Sequence, residues 1–264
     1  MRLSIIIVHH DAPEYLMACL RSVEKAGAGL SLETIVVDNA SRNVDSLVKE
    51  HPGVAWIRNQ ANVGLGSAIN KGASQSRGEI LIFLNPDAEL LPDSLRKLHD
   101  YFSERAAERL GPVGGKLLFS DGKAQPSCGP FPCLLGMLWR YLLPPTQRKY
   151  YLRLPERGAC PVDWVTGAFL AVRRSVFDEL GGFDRNFFLY YEDVDLCIRA
   201  RYKGYPARFL PEAQAYHHHP HAARSKPDPL LARIIQDSRL LYFRKHRPTW
   251  ESWTLEQVSG NTRR

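Results

Sequence analysis

No stretch of this chain approaches the roughly 18 consecutive apolar residues that a membrane-spanning helix needs. Met1-Arg2-Leu3-Ser4 runs straight into a strand-like segment, so no signal peptide is expected. Cysteine is scarce and unpatterned. Cys19, Cys128, Cys133, Cys160 and Cys197 are odd in number and not spaced for a metal, which favours free thiols in a reducing cytosol. The turn after the first strand is His9-His10-Asp11 and lacks the glycine- and basic-rich phosphate loop of many nucleotidyl-transfer enzymes. What is present is ordinary for a globular protein: 264 residues, 44% hydrophobic and 24% charged. The net charge of +7 favours anionic partners such as a nucleotide, a phospholipid surface or a nucleic acid. The basic residues are dispersed while acids gather at strand and helix ends, which argues against nucleic acid.

Leu3 to Val8 is an apolar, β-branched first strand, followed by a helix through Tyr15, Leu16, Cys19, Leu20 and Val23 that ends at Gly27 and Gly29. Asp11 with Glu14 reads as a capping box, with Pro13 in the first turn. Thr34 to Val37 and Val54 to Ile57 read as further strands, with a short helix through Leu47 between them. A glycine-bearing loop, Asn62-Val63-Gly64, feeds a helix over 67–76. Ile80 to Leu84 is a strand buried on both faces that stops at Asn85-Pro86-Asp87. This strand and helix rhythm predicts right-handed crossovers and a parallel sheet, with His10, Asp38, Asn62 and Asp87 on its carboxyl edge, where open α/β sheets bind ligands. Asn85 and Asp87 either cap the turn or offer oxygen ligands to a hard cation.

Leu95 to Phe102 reads as an amphipathic helix. Cys133 to Leu143, followed by Pro144-Pro145 and the basic, aromatic run from Arg148 to Arg153, is either a buried helix or an interfacial segment meeting anionic lipid or a lipid-linked substrate. Asp163 to Val172 is a strand-like run and Ser175 to Leu180 a helix. Glu192, Asp193 and Asp195 fall in the first turn of a helix that ends near Gly204. They either complement the helix dipole or supply a general base inside an aromatic wall. Arg208 to Leu210 is a further strand. In His217-His218-His219-Pro220-His221 at most one or two imidazoles ligate one ion, or all form a solvated loop. A final helix spans Leu230 to Phe243, and the polar residues after Trp253 are expected to fray.

Taken in order, Val37-Asp38-Asn39-Ala40-Ser41, Asn62-Val63-Gly64, Leu84-Asn85-Pro86-Asp87, Gly167-Ala168, Gly182-Phe183-Asp184, Tyr191-Glu192-Asp193-Val194-Asp195-Leu196 and His217 resemble the family 2 glycosyltransferases. The bacterial rhamnosyltransferase-like branch that builds O-antigen and cell-wall linkage glycans is the closer likeness, over Leu3 to His221. The resemblance implies an α/β GT-A (Rossmann-like) fold with a mostly parallel central sheet flanked by helices. It implies one domain over 1–264: a nucleotide-sugar half over 1–90, an acceptor and catalytic half over 91–225 and a helical extension over 226–264. The activity implied is inverting transfer of a sugar, rhamnose from dTDP-rhamnose or a hexose or N-acetylhexosamine from a UDP-linked donor, to a glycan that is expected to be polyprenyl-diphosphate-linked. The place expected for it is the cytoplasm, at the inner face of the plasma membrane. Asp193 is implied as the base and Glu192 as a residue orienting substrate hydroxyls. His9, His10, Asp11, Asp38, Asn62, Gly64, Asn85 and Asp87 are implied for the nucleotide sugar, and Trp164, Gly167, Ala168 and Tyr191 for the acceptor. Asp87 and His217 are implied ligands of Mg²⁺ or Mn²⁺. Asn85 stands where the family's metal motif has its first acid, which leaves Asp87 as that motif's charge.

Overall fold

The computed structural model describes residues 1–142, 155–218 and 228–260. The Arg148 to Arg153 run, Pro144-Pro145, His219 and His221 lie outside them. Strand β1 (Leu3–His9), helix α1 (Pro13–Ala26), β2 (Leu32–Asp38), α2 (Asp45–Glu50), β3 (Ala55–Arg58), α3 (Leu65–Gln75) and β4 (Ile80–Leu84) alternate as expected. The strands lie in the order β3-β2-β1-β4, all parallel. Successive side chains of a strand point to opposite faces. Ile5 and Ile7 of β1, with Ile80 and Ile82 of β4, fill one core. Ile6 and Val8, with Leu81 and Phe83, fill the other. This is why both segments read as unbroken apolar runs.

Next come β5 (Ala88–Leu90), α4 (Ser94–Glu104), β6 (Val113–Leu118), β7 (Ala124–Gln125), β8 (Cys128–Gly129), α5 (Leu134–Leu142), β9 (Cys160–Pro161), β10 (Trp164–Val165), β11 (Phe169–Arg173), α6 (Arg174–Glu179), α7 (Glu192–Tyr202) and β12 (Arg208–His217). The sheet continues as β4-β11-β6-β12-β5, with β11 antiparallel to β4 and to β6. The wholly parallel sheet expected from the first half therefore ends at β4. Because β11 runs the other way, its beginning lies at the carboxyl end of β4.

Two expected strands change shape. The run from Asp163 to Val172 breaks at Thr166-Gly167-Ala168. Its first part, β10, pairs with β8, and its second, β11, joins the main sheet. The strand expected over 208–210 continues to His217, because the pairing with β6 shifts register between Leu210 and Gln214. A bulge there accommodates Pro211, which has no N–H for a ladder. Cys133 to Leu143 is also not a buried helix: on α5, Leu135, Leu138, Trp139 and Leu142 are exposed.

Helices α8 (Pro229–His246) and α9 (Thr249–Gly260) close the described chain. Leu240, Tyr242 and Phe243 pack with Phe187, Val194 and Leu255 in a third apolar cluster. Among the described residues the fraying expected after Trp253 is not seen, since α9 runs to Gly260 with Leu255 buried against α8; residues 261–264 lie outside them.

Candidate active site

A cavity of about 1630 Å³ opens where the carboxyl ends of β1, β2 and β4 meet the start of β11 and the first turn of α7. His10, Asp11, Asn62, Gly64, Asn85 and Asp87 line it from the first half of the chain. Trp164, Gly167, Ala168, Tyr191, Glu192, Asp193 and His217 line it from the second. The expected site residues are thus brought together, with two exceptions. His9 is buried at the end of β1 and borders a smaller cavity of about 380 Å³ with Asp11, Ser41 and Arg42. Burial lowers its pKa, while Asp38 and Asp11 act the other way. Asp38 is buried, and its Oδ1 accepts the N–H of Ser41 at 3.2 Å, holding the turn after β2.

The turn after β1 departs from the expected capping box. Ala12, not Asp11, occupies the cap of α1, with no side-chain bond. Asp11 instead accepts the N–H of Arg42 at 2.9 Å, and its own N–H donates to Ser41 Oγ at 3.0 Å. The acid clips two loops together at the cavity rim.

Asn39, not singled out from the sequence as a site residue, is the hub of the loops after β2 and β3. Its Nδ2 donates to Asn62 Oδ1 at 2.8 Å, and its Oδ1 accepts from Val63 N–H at 3.1 Å and Asn59 Nδ2 at 3.0 Å. Gly64 follows with φ +83°. A Cβ there would lie 2.5 Å from the carbonyl oxygen of Phe188, which accepts the N–H of Leu65 at 2.8 Å. Gly64→Ala is therefore expected to cost at least about 1–3 kcal/mol by forcing a left-handed residue into a backbone clash. Denaturant midpoints check this, and a loss below about 0.5 kcal/mol would contradict the close approach.

At the end of β4, the Asn85 N–H donates to Ala168 O at 3.0 Å, locking the Asn85-Pro86-Asp87 turn to the start of β11. His217 is buried, not part of a solvated loop. Its Nδ1 lies 2.7 Å from Gln125 Oε1, and its Nε2 lies 3.3 Å from both Asp87 Oδ1 and Asn85 Nδ2. Gln125 Oε1 can accept from Nδ1, and Nε2 faces both the Asp87 carboxylate and the Asn85 amide. A carboxylate and an imidazole turned to one another suit a shared cation, and an acceptor behind the ring is typical of ligating histidines. Among the described residues no group of three or more His, Cys, Asp or Glu side chains gathers as a metal site. The protein thus offers one carboxylate, one imidazole and an amide, a set that leaves coordination positions for substrate oxygens.

Tyr190 and Tyr191 both have left-handed backbone, with φ of +68° and +67°, and this turn presents the first residues of α7 to the cavity. Asp193 Oδ2 accepts the N–H of Gly167 at 2.9 Å, and its Oδ1 accepts that of Val194 at 2.8 Å. Burial raises the Asp193 pKa even though these two N–H groups act to lower it. Glu192 is buried with Oε2 lacking a hydrogen-bond partner, and burial together with the Asp193 charge pushes its carboxyl well above the ordinary range. Burial raises both neighbouring carboxyls, and Asp193 is the one whose two oxygens accept backbone N–H groups that favour its ionised form. The third acid, Asp195, is wholly buried and faces away from this chemistry. Its Oδ1 meets His246 Nε2 of α8 at 2.7 Å, and its Oδ2 accepts from Arg199 Nε at 2.7 Å. No sequence signal links Asp195 to a histidine 51 positions later.

Comparison with known proteins agrees with this geometry. The profile of Glycosyl transferase family 2 matches residues 4–181, and that of Glycosyl transferase family group 2 matches residues 151–255. An N-acetylglucosaminyl-diphospho-decaprenol L-rhamnosyltransferase of Mycobacterium tuberculosis is 31% identical over 88% of this chain and 84% of its own. Rhamnosyltransferase WbbL of Escherichia coli is 27% identical over 84% of this chain and 85% of its own. Among solved structures, GalNAc-T7 with UDP, GalNAc and Mn²⁺ superposes with a TM-score of 0.65 at 20% identity, over 90% of this chain and 48% of that one. Residues 1–349 of S. aureus TarS superpose with a TM-score of 0.57 at 16% identity, over 92% and 72% of the two chains. The chain belongs to glycosyl transferase family 2: it is a glycosyltransferase of GT-A fold.

Proposed function

We propose that the protein transfers rhamnose from dTDP-rhamnose, with inversion, to a hydroxyl of a glycan carried on a polyprenyl diphosphate. The names of the M. tuberculosis and E. coli relatives support the donor sugar, and the former supports the lipid diphosphate carrier. The observation that carries the mechanism is Asp193, raised in pKa and fixed by two backbone N–H groups at the junction of the chain's two halves. Asp193 takes the acceptor hydroxyl proton as that oxygen attacks the anomeric carbon. The bond from that carbon to the diphosphate oxygen breaks, and the nucleoside diphosphate leaves with the electron pair. One base and no second carboxylate acting as nucleophile gives inversion.

Asp87, His217 and Asn85 would hold a divalent cation, whose chemistry is to neutralise charge building on the leaving diphosphate. Asn62, Gly64 and the His9-His10-Asp11 turn form the nucleotide end, with Asp38 beneath them shaping the turn against the base or ribose. Trp164, Gly167, Ala168 and Tyr191 form the acceptor end, and Glu192 orients a substrate hydroxyl. In this reading residues 1–90 serve the donor, 91–225 the acceptor and the chemistry, and 226–264 brace them as part of a single domain. Gly136 and Met137 of α5 face the cavity while Leu135, Leu138 and Leu142 are exposed. The exposed side suits contact with the cytoplasmic face of the membrane that carries the acceptor. No helix among the described residues is long and apolar enough to cross a membrane.

The test is a panel of dTDP- and UDP-sugars offered to the purified protein with Mn²⁺ or Mg²⁺, scored by nucleoside diphosphate release, with and without EDTA. Turnover of dTDP-rhamnose alone, suppressed by EDTA, is expected. Preference for a UDP-hexose overturns the donor assignment. Full activity after metal removal overturns the role of Asp87 and His217 as ligands.

A further inference from the structure

We infer that Arg239 is the cation that receives the diphosphate of the acceptor. This deepens the lipid-diphosphate reading above and rests on it. The cavity is lined by the carboxylates of Asp11, Glu14, Asp87 and Asp193. Arg239 is the one lysine or arginine among its described lining residues. A cavity that takes a glycan on a diphosphate must offset at least two negative charges there, and the carboxylates only add to that need. A planar, permanently charged guanidinium is suited to the task.

The side chain is poised and uncommitted. Arg239 Nε is shut off from solvent with no hydrogen-bond partner, an arrangement costly enough to call for a ligand. The backbone around it is held firmly. The adjacent Ser238 donates its Oγ to Leu189 O at 2.8 Å, and one turn further along α8 the Tyr242 ring stands 5.5 Å from that of Tyr191.

Placement favours the acceptor over the donor. Arg239 enters from α8, beside the 188–191 turn. Leu240 and Tyr242 of the same helix share an apolar cluster with Leu134 and Met137 of α5. The donor elements are the ends of β1, β2 and β4. Arg239 and Met137 of α5 line the same cavity as Asp193, so an acceptor whose lipid follows α5 would carry its diphosphate on the α8 side of the cavity.

The experiment compares two acceptors carrying the same sugar, one on a short-chain polyprenyl diphosphate and one as a phosphate-free alkyl glycoside. It uses the full chain as wild type, Arg239→Met and Arg239→Lys, each checked for folding by its thermal transition. The wild type is expected to favour the diphosphate acceptor in kcat/KM. In Arg239→Met the KM for that acceptor should rise about 10- to 100-fold, the loss of charge-assisted hydrogen bonds, with donor KM within about twofold. Arg239→Lys should recover part of the preference. A rise in donor KM instead would assign Arg239 to the nucleotide diphosphate and overturn the proposal. So would an unchanged preference in Arg239→Met. A wild type with no preference between the carriers would sink the lipid-diphosphate reading itself, and is told apart by appearing before any substitution is made.

Discussion

Asp193→Asn is expected to lower kcat by about 10²–10⁴-fold while nucleotide-sugar binding persists. The amide keeps the size of the carboxylate and can accept only one of its two backbone N–H bonds, from Gly167 or from Val194. The capacity to take a proton goes with the second oxygen. The pH profile of the wild type carries the same signature. Burial raises the pKa of Asp193, so the acid limb of kcat/KM should lie above the ordinary carboxylate range. The sign follows directly: the ionised form is active, and below its pKa the rate falls about tenfold per pH unit. In the variant the Asp193 charge is gone, but burial still raises the Glu192 carboxyl. Single-turnover rates with saturating donor, together with thermal protection by the donor, make the measurement. An Asp193→Asn protein that binds donor and turns over within tenfold of wild type would remove Asp193 as the base.

Asp195→Ala is expected to have the largest effect on stability, about 3–5 kcal/mol, the usual cost of breaking a buried pair by removing one partner. Asp195 is wholly buried, with one carboxylate oxygen on His246 and the other on Arg199. Arg199 further donates to Leu180 O at 2.7 Å and to Gly182 O at 2.9 Å. A single carboxylate thus joins α7, the turn after α6 and the end of α8. Removing it leaves two polar side chains facing an emptied site. Asp195→Asn, which keeps the volume and part of the hydrogen bonding, should lose less. Guanidinium unfolding monitored by tryptophan fluorescence reads both. A cost under about 1 kcal/mol for Asp195→Ala would mean that α8 does not hold α7 in this way. Since α7 begins with Glu192 and Asp193, the same variant should also lower kcat.

The first half of the chain was legible because local pattern and global topology agree there. Apolar runs bounded by turns specify parallel strands, and the sheet's handedness sends their carboxyl ends to one edge. Of the four residues that reasoning set on the edge, His10, Asn62 and Asp87 line the cavity, and Asp38 is buried beneath it. The order of motifs then pointed to the family. The second half was less legible for definite reasons. Pro211 reads as a strand end, yet the bulge opposite β6 carries β12 on to His217. Hydropathy runs unbroken from Trp164 to Val172, yet Gly167 turns the chain between two sheets. Trp250 and Trp253 lie exposed on α9, yet Leu255 between solvent-facing neighbours anchors that helix.

By itself the sequence determined on what kind of element most of the candidate residues sit, because strand ends, helix starts and glycine turns are local properties. Tertiary structure alone decided what those residues face. The antiparallel return of β11 sets Gly167 against Asp193, the bulge in β12 brings His217 to Asp87, and α8 delivers Arg239 to the cavity and His246 to Asp195. Each of these joins residues dozens of positions apart, and such pairings are selected by packing and desolvation across the whole fold, which no local spacing records.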